Sequence, residues 1–284
     1  MTMAFNPKST TVLITGASSG IGYATALYLA EKGYTVIGTS RSAERLEMLS
    51  NEIAERGLPV HPIVLDINSD DAVREVLPRL IEEHAGIDVL VNNAGYGLWG
   101  PGGSLSIDEL RTQFETNFFA PFKLTKLVLP GMIERRHGTI VNISSVLGQI
   151  GTPFNGAYVS TKFALEGLSE AMRTELWPFG VRVTVVEPGL YATEFQQNQL
   201  RADEANLPDS PYREYIDKYN NRHGSFDRLS KDPIAVSKVI HKIIRSKRPR
   251  FRYAVGAESH LGILGKRYLP QRLFQFMLSR ATLR

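Results

Sequence analysis

Two rhythms of apolar and polar positions alternate along most of the chain. Short β-branched runs, nearly continuous in apolar residues, occupy Thr11–Thr15, Thr35–Thr39, Val60–Leu65, Ile87–Val91, Thr139–Ile143 and Val181–Glu187. Runs without alternation fit strands buried on both faces. Between them the spacing turns helical, predicting helices over Ile21–Lys32, Ala43–Arg56, Asp70–His84, Ile107–Arg136 and Ala157–Trp177, the first two stopped by Gly33 and Gly57. Strands alternating with helices require right-handed crossovers. The prediction is an α/β fold: a doubly wound parallel sheet of about seven strands, helices on both faces, in a single domain.

Residues 190–230 break the rhythm with Gln196-Gln-Asn-Gln199, Pro208-Asp-Ser-Pro211 and Asn220-Asn-Arg-His-Gly224. So long an irregular stretch in a compact domain points to a lid or a disordered segment. Asp232-Pro233 then opens a helix over Ile234 to Ile244, and Arg252–Val255 predicts a last strand. The tail Tyr268–Leu283 interleaves Leu269, Leu273, Phe274, Met277 and Leu278 with Arg272 and Arg280. Such an amphipathic segment packs on its own domain or a neighbouring subunit, or lies on a membrane. The expected division is a dinucleotide-binding and catalytic domain over 1–257, with a lid at 190–230, and a basic extension over 258–284.

Composition narrows the function classes. With 284 residues, 43% of them hydrophobic, the chain can bury one large core. It has no cysteine, so disulfide frameworks and thiolate metal sites are excluded, and its six histidines lie too far apart for zinc spacing. No metal is expected. The N-terminal segment lacks a basic, then apolar leader, and no apolar run approaches a membrane span, so a cytoplasmic protein is expected. The 33 Lys/Arg and 29 Asp/Glu are unevenly placed: from Arg228 onward 14 cations face only Asp232 and Glu258, a net +12, and the preceding residues carry −8. This asymmetry suits an anionic membrane, a nucleic acid or an acidic subunit face. No nucleic-acid motif accompanies it.

The candidate chemistry centres on 139–167. Thr139–Ile143 ends in a serine pair, and after a turn Tyr158 and Lys162 stand four apart on one helix face. A phenol is too weak an acid to give up its proton readily near neutral pH; a lysine ammonium one turn away is expected to lower its pKa. Ser145, at a strand end, can hold a substrate oxygen near the phenol, so the set can protonate a carbonyl or deprotonate an alcohol. Taken alone, a Tyr-x-x-x-Lys match more often means a surface pair beside a strand-end serine. Its surroundings reverse that balance.

Thr15-Gly16-Ala-Ser-Ser-Gly20-Ile-Gly22 lies between the first strand and helix, where a dinucleotide turn sets a pyrophosphate on a helix N-terminus. The second strand ends in Thr39-Ser40-Arg41, with no carboxylate to meet a ribose 2′-hydroxyl. NADP(H) is therefore expected ahead of NAD(H), with Ser40 and Arg41 on the 2′-phosphate; Arg41 paired with Glu44 or Glu47 is the alternative.

Thr15–Gly22, Asn92-Asn-Ala-Gly95, Asn117, Ser145, Tyr158-x-x-x-Lys162 and Pro188-Gly189 occur in the order and approximate spacing of a short-chain dehydrogenase/reductase. The resemblance spans roughly residues 10–255, and 153–170 resembles the branch containing 17β-hydroxysteroid and retinol dehydrogenases. Ser160-Thr161 replaces the more frequent Ala-Ser before the lysine. The resemblance implies a Rossmann-like fold with Tyr158 as general acid/base. Lys162 would bind the nicotinamide ribose and lower the tyrosine pKa, and Ser145 would orient the carbonyl. Gly16, Ser18, Ser19, Gly20, Ile21 and Gly22 would cradle the phosphates, and Asp66 with Ile67 would meet adenine. Asn93, Ala94 and Gly95 would line the cleft, and Pro188, Gly189 and Thr193 would hold the carboxamide. Asn117 has its own argument: Pro121, four residues on, has no N–H for the Asn117 carbonyl, which is left to hold a relay water. A merely kinked helix is the alternative.

A pocket outside the strands' carboxyl ends would take its aromatic wall from Tyr96, Trp99, Phe154, Tyr191 and Phe195, unless these serve packing. The expected substrate is a small hydrophobic ketone or aldehyde, or its alcohol. A polar or carrier-bound 3-oxoacyl substrate is the alternative, and a non-catalytic NADP(H)-binding regulator the other. A homodimer or homotetramer is expected by analogy, with peripheral membrane contact through the basic tail as a further reading.

Overall fold

The unbroken apolar runs become strands because helices cover both sides of them. The computed structural model describes residues 5–189, 191, 195, 199–206, 209–223 and 231–283. The first half runs β1 (Thr11–Thr15), α1 (Gly20–Glu31), β2 (Thr35–Ser40), α2 (Ala43–Arg56), β3 (Val60–Val64), α3 (Asp70–Glu83), β4 (Val89–Asn92) and a short β5 (Leu98–Trp99). There follow α4 (Ile107–Phe114), α5 (Ala120–Glu134), β6 (Gly138–Ile143), α6 (Gly156–Leu176) and β7 (Val181–Pro188). The last part comprises β8 (Leu200–Arg201), α7 (Arg213–His223), α8 (Ile234–Arg245), β9 (Arg252–Val255), α9 (Ala257–Tyr268) and α10 (Gln271–Leu283).

Seven strands form one parallel sheet in the order β3-β2-β1-β4-β6-β7-β9. Strand order reverses between β1 and β4, which opens a crevice at their carboxyl ends. Along β1 the side chains split by strand period: Val12 and Ile14 pack with Leu29 of α1 and Ile240 of α8, and Leu13 packs with Leu77 of α3 and Leu124 of α5. Helix starts follow capping chemistry. Ser42 and Ser69 accept the amides of Arg45 and Ala72, each at 3.2 Å, and Ser106 with Glu109 forms a reciprocal capping box.

Two expectations are corrected. The single helix expected over Ile107–Arg136 is interrupted by a wide turn, Glu115–Phe119, in which the Ala120 amide reaches back five residues to the Glu115 carbonyl. Pro121 accounts for it, since its ring clashes with a carbonyl four residues back and it offers that carbonyl no N–H. Within 190–230, the described residues include regular structure: β8 pairs in parallel with β5, and α7 carries the ion pairs Arg213–Asp217 (3.2 Å) and Glu214–Lys218 (2.6 Å). Among its described side chains α7 turns Ile216 and Tyr219 inward, too few apolar positions for its periodicity to show. The extension expected over 258–284 holds two helices, α9 and α10, separated at Leu269-Pro270, and the amphipathic stretch Tyr268–Leu283 corresponds to α10. No helix among the described residues is long and apolar enough to cross a membrane.

Candidate active site

Glycine chemistry shapes the turn after β1. Gly16 and Gly20 have φ of +68° and +55°, and a Cβ on Gly22 would stand 2.2 Å from the Gly16 carbonyl oxygen. Asn93 holds this turn from the end of β4: its side-chain amide donates to the carbonyls of Thr15 (2.9 Å) and Gly16 (3.1 Å). Thr15 Oγ1 in return accepts the amides of Asn93 and Ala94, each at 3.0 Å. Ser18, Ser19 and Ile21 line the turn half-buried, and Ser19 caps α1 through its extended backbone with no side-chain bond. At the end of β2, Ser40 is buried and Arg41 exposed; among the described residues Arg41 pairs with no carboxylate, Glu44 and Glu47 included. Asp66 is exposed and accepts the Asn68 amide at 3.0 Å, whereas Ile67 belongs to the core on the α3 side.

Strand β6 delivers Ser145 just past its end, and α6 delivers Tyr158 and Lys162 beside it. Ser145 lies next to Tyr158, near enough to act on its phenol, and its Oγ accepts the Leu147 amide at 3.1 Å. Lys162 lies with its Nζ 5.5 Å from the Tyr158 ring centroid and donates to the Ile143 carbonyl at 2.9 Å. Both side chains are more than nine-tenths enclosed, at 8% and 5% exposure.

That enclosure reverses one expectation. Burial pushes the Tyr158 phenol up to about 12, against the pull of neighbouring Ser145, rather than Lys162 drawing it down. Lys162 itself is pushed down to about 8 by burial, opposed by the Glu166 carboxylate. With Nζ committed to a backbone carbonyl, desolvation outweighs the charge–phenol attraction.

Asn117 sits at the wide turn, 1% exposed. Its side chain braces Tyr96, accepting that residue's amide at 3.2 Å and donating to its carbonyl at 2.9 Å, and reaches Thr161 Oγ1 at 3.3 Å. A Cβ on Gly95 would come within 3.0 Å of the Asn117 oxygen. Gly189, after Pro188, donates to the Val255 carbonyl at 3.0 Å and has no room for a side chain against Glu258 and Ser259. Thr193 lies outside the described residues.

The aromatic wall separates. Phe195 meets Tyr158 edge-on at 5.4 Å, and Tyr96 is half-buried near enough to Arg41 for that charge to oppose the effect of burial on its phenol. Trp99 and Phe154 instead pack with Tyr219 of α7, centroids 5.0 to 5.5 Å apart, in a separate apolar cluster. Tyr191 is buried in the core on the α8 side.

The sequence is matched over residues 10–204 by the short chain dehydrogenase model. The chain belongs to the short-chain dehydrogenase/reductase family. It is 37% identical over 273 residues to 3-ketodihydrosphingosine reductase of Bacteroides thetaiotaomicron, covering 94% of this chain and 96% of that one. It is 40% identical over 259 residues to human retinol dehydrogenase 8, covering 88% and 82%, which supports the retinol dehydrogenase-like branch. A metagenomic short-chain oxidoreductase solved in complex with NADP superposes with a TM-score of 0.69 at 27% identity, covering 87% of this chain and 97% of that one. The protein is thus an oxidoreductase of a nicotinamide-dependent family that acts on alcohol and carbonyl groups.

Within this short-chain dehydrogenase, a group behind Lys162 escaped the sequence reading. Glu166 and Glu187 are neighbouring buried carboxyls, and Arg252 lies 2.9 Å from Glu166 and 3.6 Å from Glu187. Burial, reinforced by the Glu166 charge, pushes Glu187 up to about 7. Two signals were present: Glu166 stands one helical turn beyond Lys162, and Glu187 is a carboxylate in an otherwise apolar strand.

Proposed function

We propose that the protein is an NADP(H)-dependent reductase of a hydrophobic ketone or aldehyde, with Tyr158 as general acid. The observation that carries this reading is the convergence of Ser145, Tyr158 and Lys162 in one enclosed corner with Phe195 against the phenol. The residues fit the cofactor: the turn at Gly16–Gly22 is a cradle that a Cβ would fill, at the N-terminus of α1. Among the described residues Arg41 has no carboxylate partner where a 2′-phosphate is expected, and the NADP complex of the metagenomic relative supports the same choice.

When bound, NADPH supplies the hydride. The chain's own part begins with Ser145, which holds the carbonyl oxygen beside the phenol. A phenol with its pKa near 12 is fully protonated at neutral pH, the form that reduction needs. As the carbonyl π bond opens, its oxygen takes the Tyr158 proton and a phenolate remains. The Lys162 ammonium stabilises that phenolate, and the Asn117 region returns a proton from solvent. The relatives' names supply a substrate class: 3-ketodihydrosphingosine and retinol each carry the reacting oxygen on a largely apolar molecule.

The test is consumption of NADPH, and in parallel NADH, with aliphatic, retinoid, steroid and quinone carbonyls. Oxidation of NADPH by an apolar class, abolished in Tyr158→Phe, is the expected result; undiminished turnover in that variant overturns the assignment. Two association readings accompany it. A homodimer or homotetramer is expected, and a monomer in light scattering rejects it. Exposed Leu261, Leu264, Tyr268, Phe276 and Met277 beside Lys266, Arg267 and Arg272 favour tail contact with an anionic membrane. Equal vesicle flotation of the full chain and a chain ending at 257 rejects that contact.

A further inference from the structure

The amino ends of the strands enclose a second cavity, at the opposite end of the sheet from Ser145 and Pro188. It has a volume of about 1140 Å³ and is bounded by the residues that lead into β1, β4, β6, β7 and β9. Its walls carry Arg135, Arg136, Arg173, Arg182, Lys247 and Arg248, against a single carboxylate, Asp88, among the described residues. Asp88 is already engaged, accepting the Thr11 amide at 2.9 Å and lying 3.8 Å from Arg135.

Apart from the Arg135–Asp88 pair, the arginines here bond to neutral acceptors. Arg135 donates to the Ile87 carbonyl (3.0 Å), Arg136 to Pro178 (2.6 Å), and Arg173 to Val183 (2.7 Å) and Pro249 (2.8 Å). Carbonyls satisfy N–H groups but leave the charges of Arg136, Arg173 and Arg182 uncompensated among the described residues. Arg182, at the start of β7, is the extreme case. It is 4% exposed, one nitrogen donates to the Ser246 carbonyl, and its Nε and Nη2 are buried without an acceptor among the described residues. Phe5 lies over its guanidinium at 4.7 Å. A buried charged donor left unpaired is costly, and native structures satisfy such groups with a partner.

The geometry points to this cavity as a binding site for a phosphate-type oxyanion, with Arg182 at its floor and Lys247 and Arg248 at its rim. A tetrahedral oxyanion offers several acceptors at once and a charge to match, which carbonyls and water do not. It also accounts for part of the basic C-terminal half: Lys247 and Arg248 belong to the run of cations from Arg228 onward that the dehydrogenase chemistry leaves unused. His137 reports on the site, since burial and then the Arg182 charge hold its imidazole below the ordinary value. An anion among these cations would raise it.

The experiment uses the full chain saturated with NADP+, so that phosphate cannot register at Arg41. The His137 resonance, assigned with His137→Gln, is titrated by proton NMR in phosphate and in chloride at equal ionic strength, and phosphate affinity is measured by calorimetry. The His137 midpoint should rise in phosphate. Affinity should fall about tenfold in Arg182→Gln and severalfold in Arg248→Ala, a rim change that leaves the core intact. Phosphatidylglycerol vesicles form the second arm. Flotation that depends on Arg248 identifies a lipid headgroup as the source; a phosphate response without it identifies a soluble phosphate. No phosphate response together with Arg248-independent flotation overturns the site, as does phosphate binding that neither variant weakens.

Discussion

The two ends of the parallel sheet handle buried charge in opposite ways. At the carboxyl end, Lys162 lies near Glu166, and Glu166 shares a buried group with Glu187 and Arg252. Burial there moves Lys162 down to about 8 and Glu187 up to about 7, both toward neutrality. At the amino end the charges are guanidiniums, and burial leaves Arg182 at about 10, still a cation at neutral pH. Groups brought toward neutrality can exchange protons, whereas fixed cations can only attract anions. One end is equipped for proton transfer and the other for binding.

The comparison breaks most visibly at Tyr158. Replacing it with phenylalanine should lower carbonyl reduction about a thousandfold, within the range of lost general acid catalysis, with NADPH affinity kept within a factor of about two. In the unaltered enzyme, reduction should decline as pH rises through about 8, where Lys162 loses its proton. A rate that stays flat through that window would mean that Lys162 has no part in proton delivery.

Glu187 sharpens the same contrast through stability. Its pKa rises from 4.5 unfolded to about 7 folded, so the stability it contributes is present below pH 4.5 and lost as pH climbs through 7. Glu187→Gln, which keeps a neutral side chain at every pH, should flatten the denaturation midpoint between pH 5 and 8. Parallel curves for the two proteins would show that Glu187 ionises freely in the fold.

Most of this frame was legible in the sequence, because unbroken strands, glycine stops and the Tyr158–Lys162 spacing are local signals. What was not legible depends on distance in the chain. Glu166, Glu187 and Arg252 meet only after β7 and β9 pair, and the rise in the Tyr158 pKa follows from enclosure that spacing cannot report. The wide turn at Glu115–Phe119 was half visible: Pro121 marks the fault, but whether it kinks the helix or widens a turn depends on packing around Asn117. Trp99 and Phe154 have the composition of a pocket wall, and only the fold shows them packed under α7.

Arg41 gives a smaller test, at the cofactor's expected 2′-phosphate. Arg41→Asp exchanges an exposed cation for a carboxylate and should shift preference from NADPH toward NADH by about a hundredfold, near the value of a charge-assisted bond. An unchanged NADPH affinity would assign the 2′-phosphate to other groups.

The smallest expected effect separates pocket from packing. Phe195 meets Tyr158 and Trp99 does not, although both were expected in the same wall. Phe195→Ala should raise KM for an apolar carbonyl about fivefold, through roughly 1 kcal/mol of lost aromatic contact, and leave the melting temperature nearly unchanged. Trp99→Ala should do the reverse: it opens a cavity between β5 and α7, costing about 3 kcal/mol of packing there. Hydrogen exchange should then quicken in α7 first, with KM changing only as far as α7, the cap over Trp99 and Phe154, loosens. If Trp99→Ala raised KM while α7 kept its protection, the indole would have to reach the substrate, and the division between wall and cap would fail at that residue.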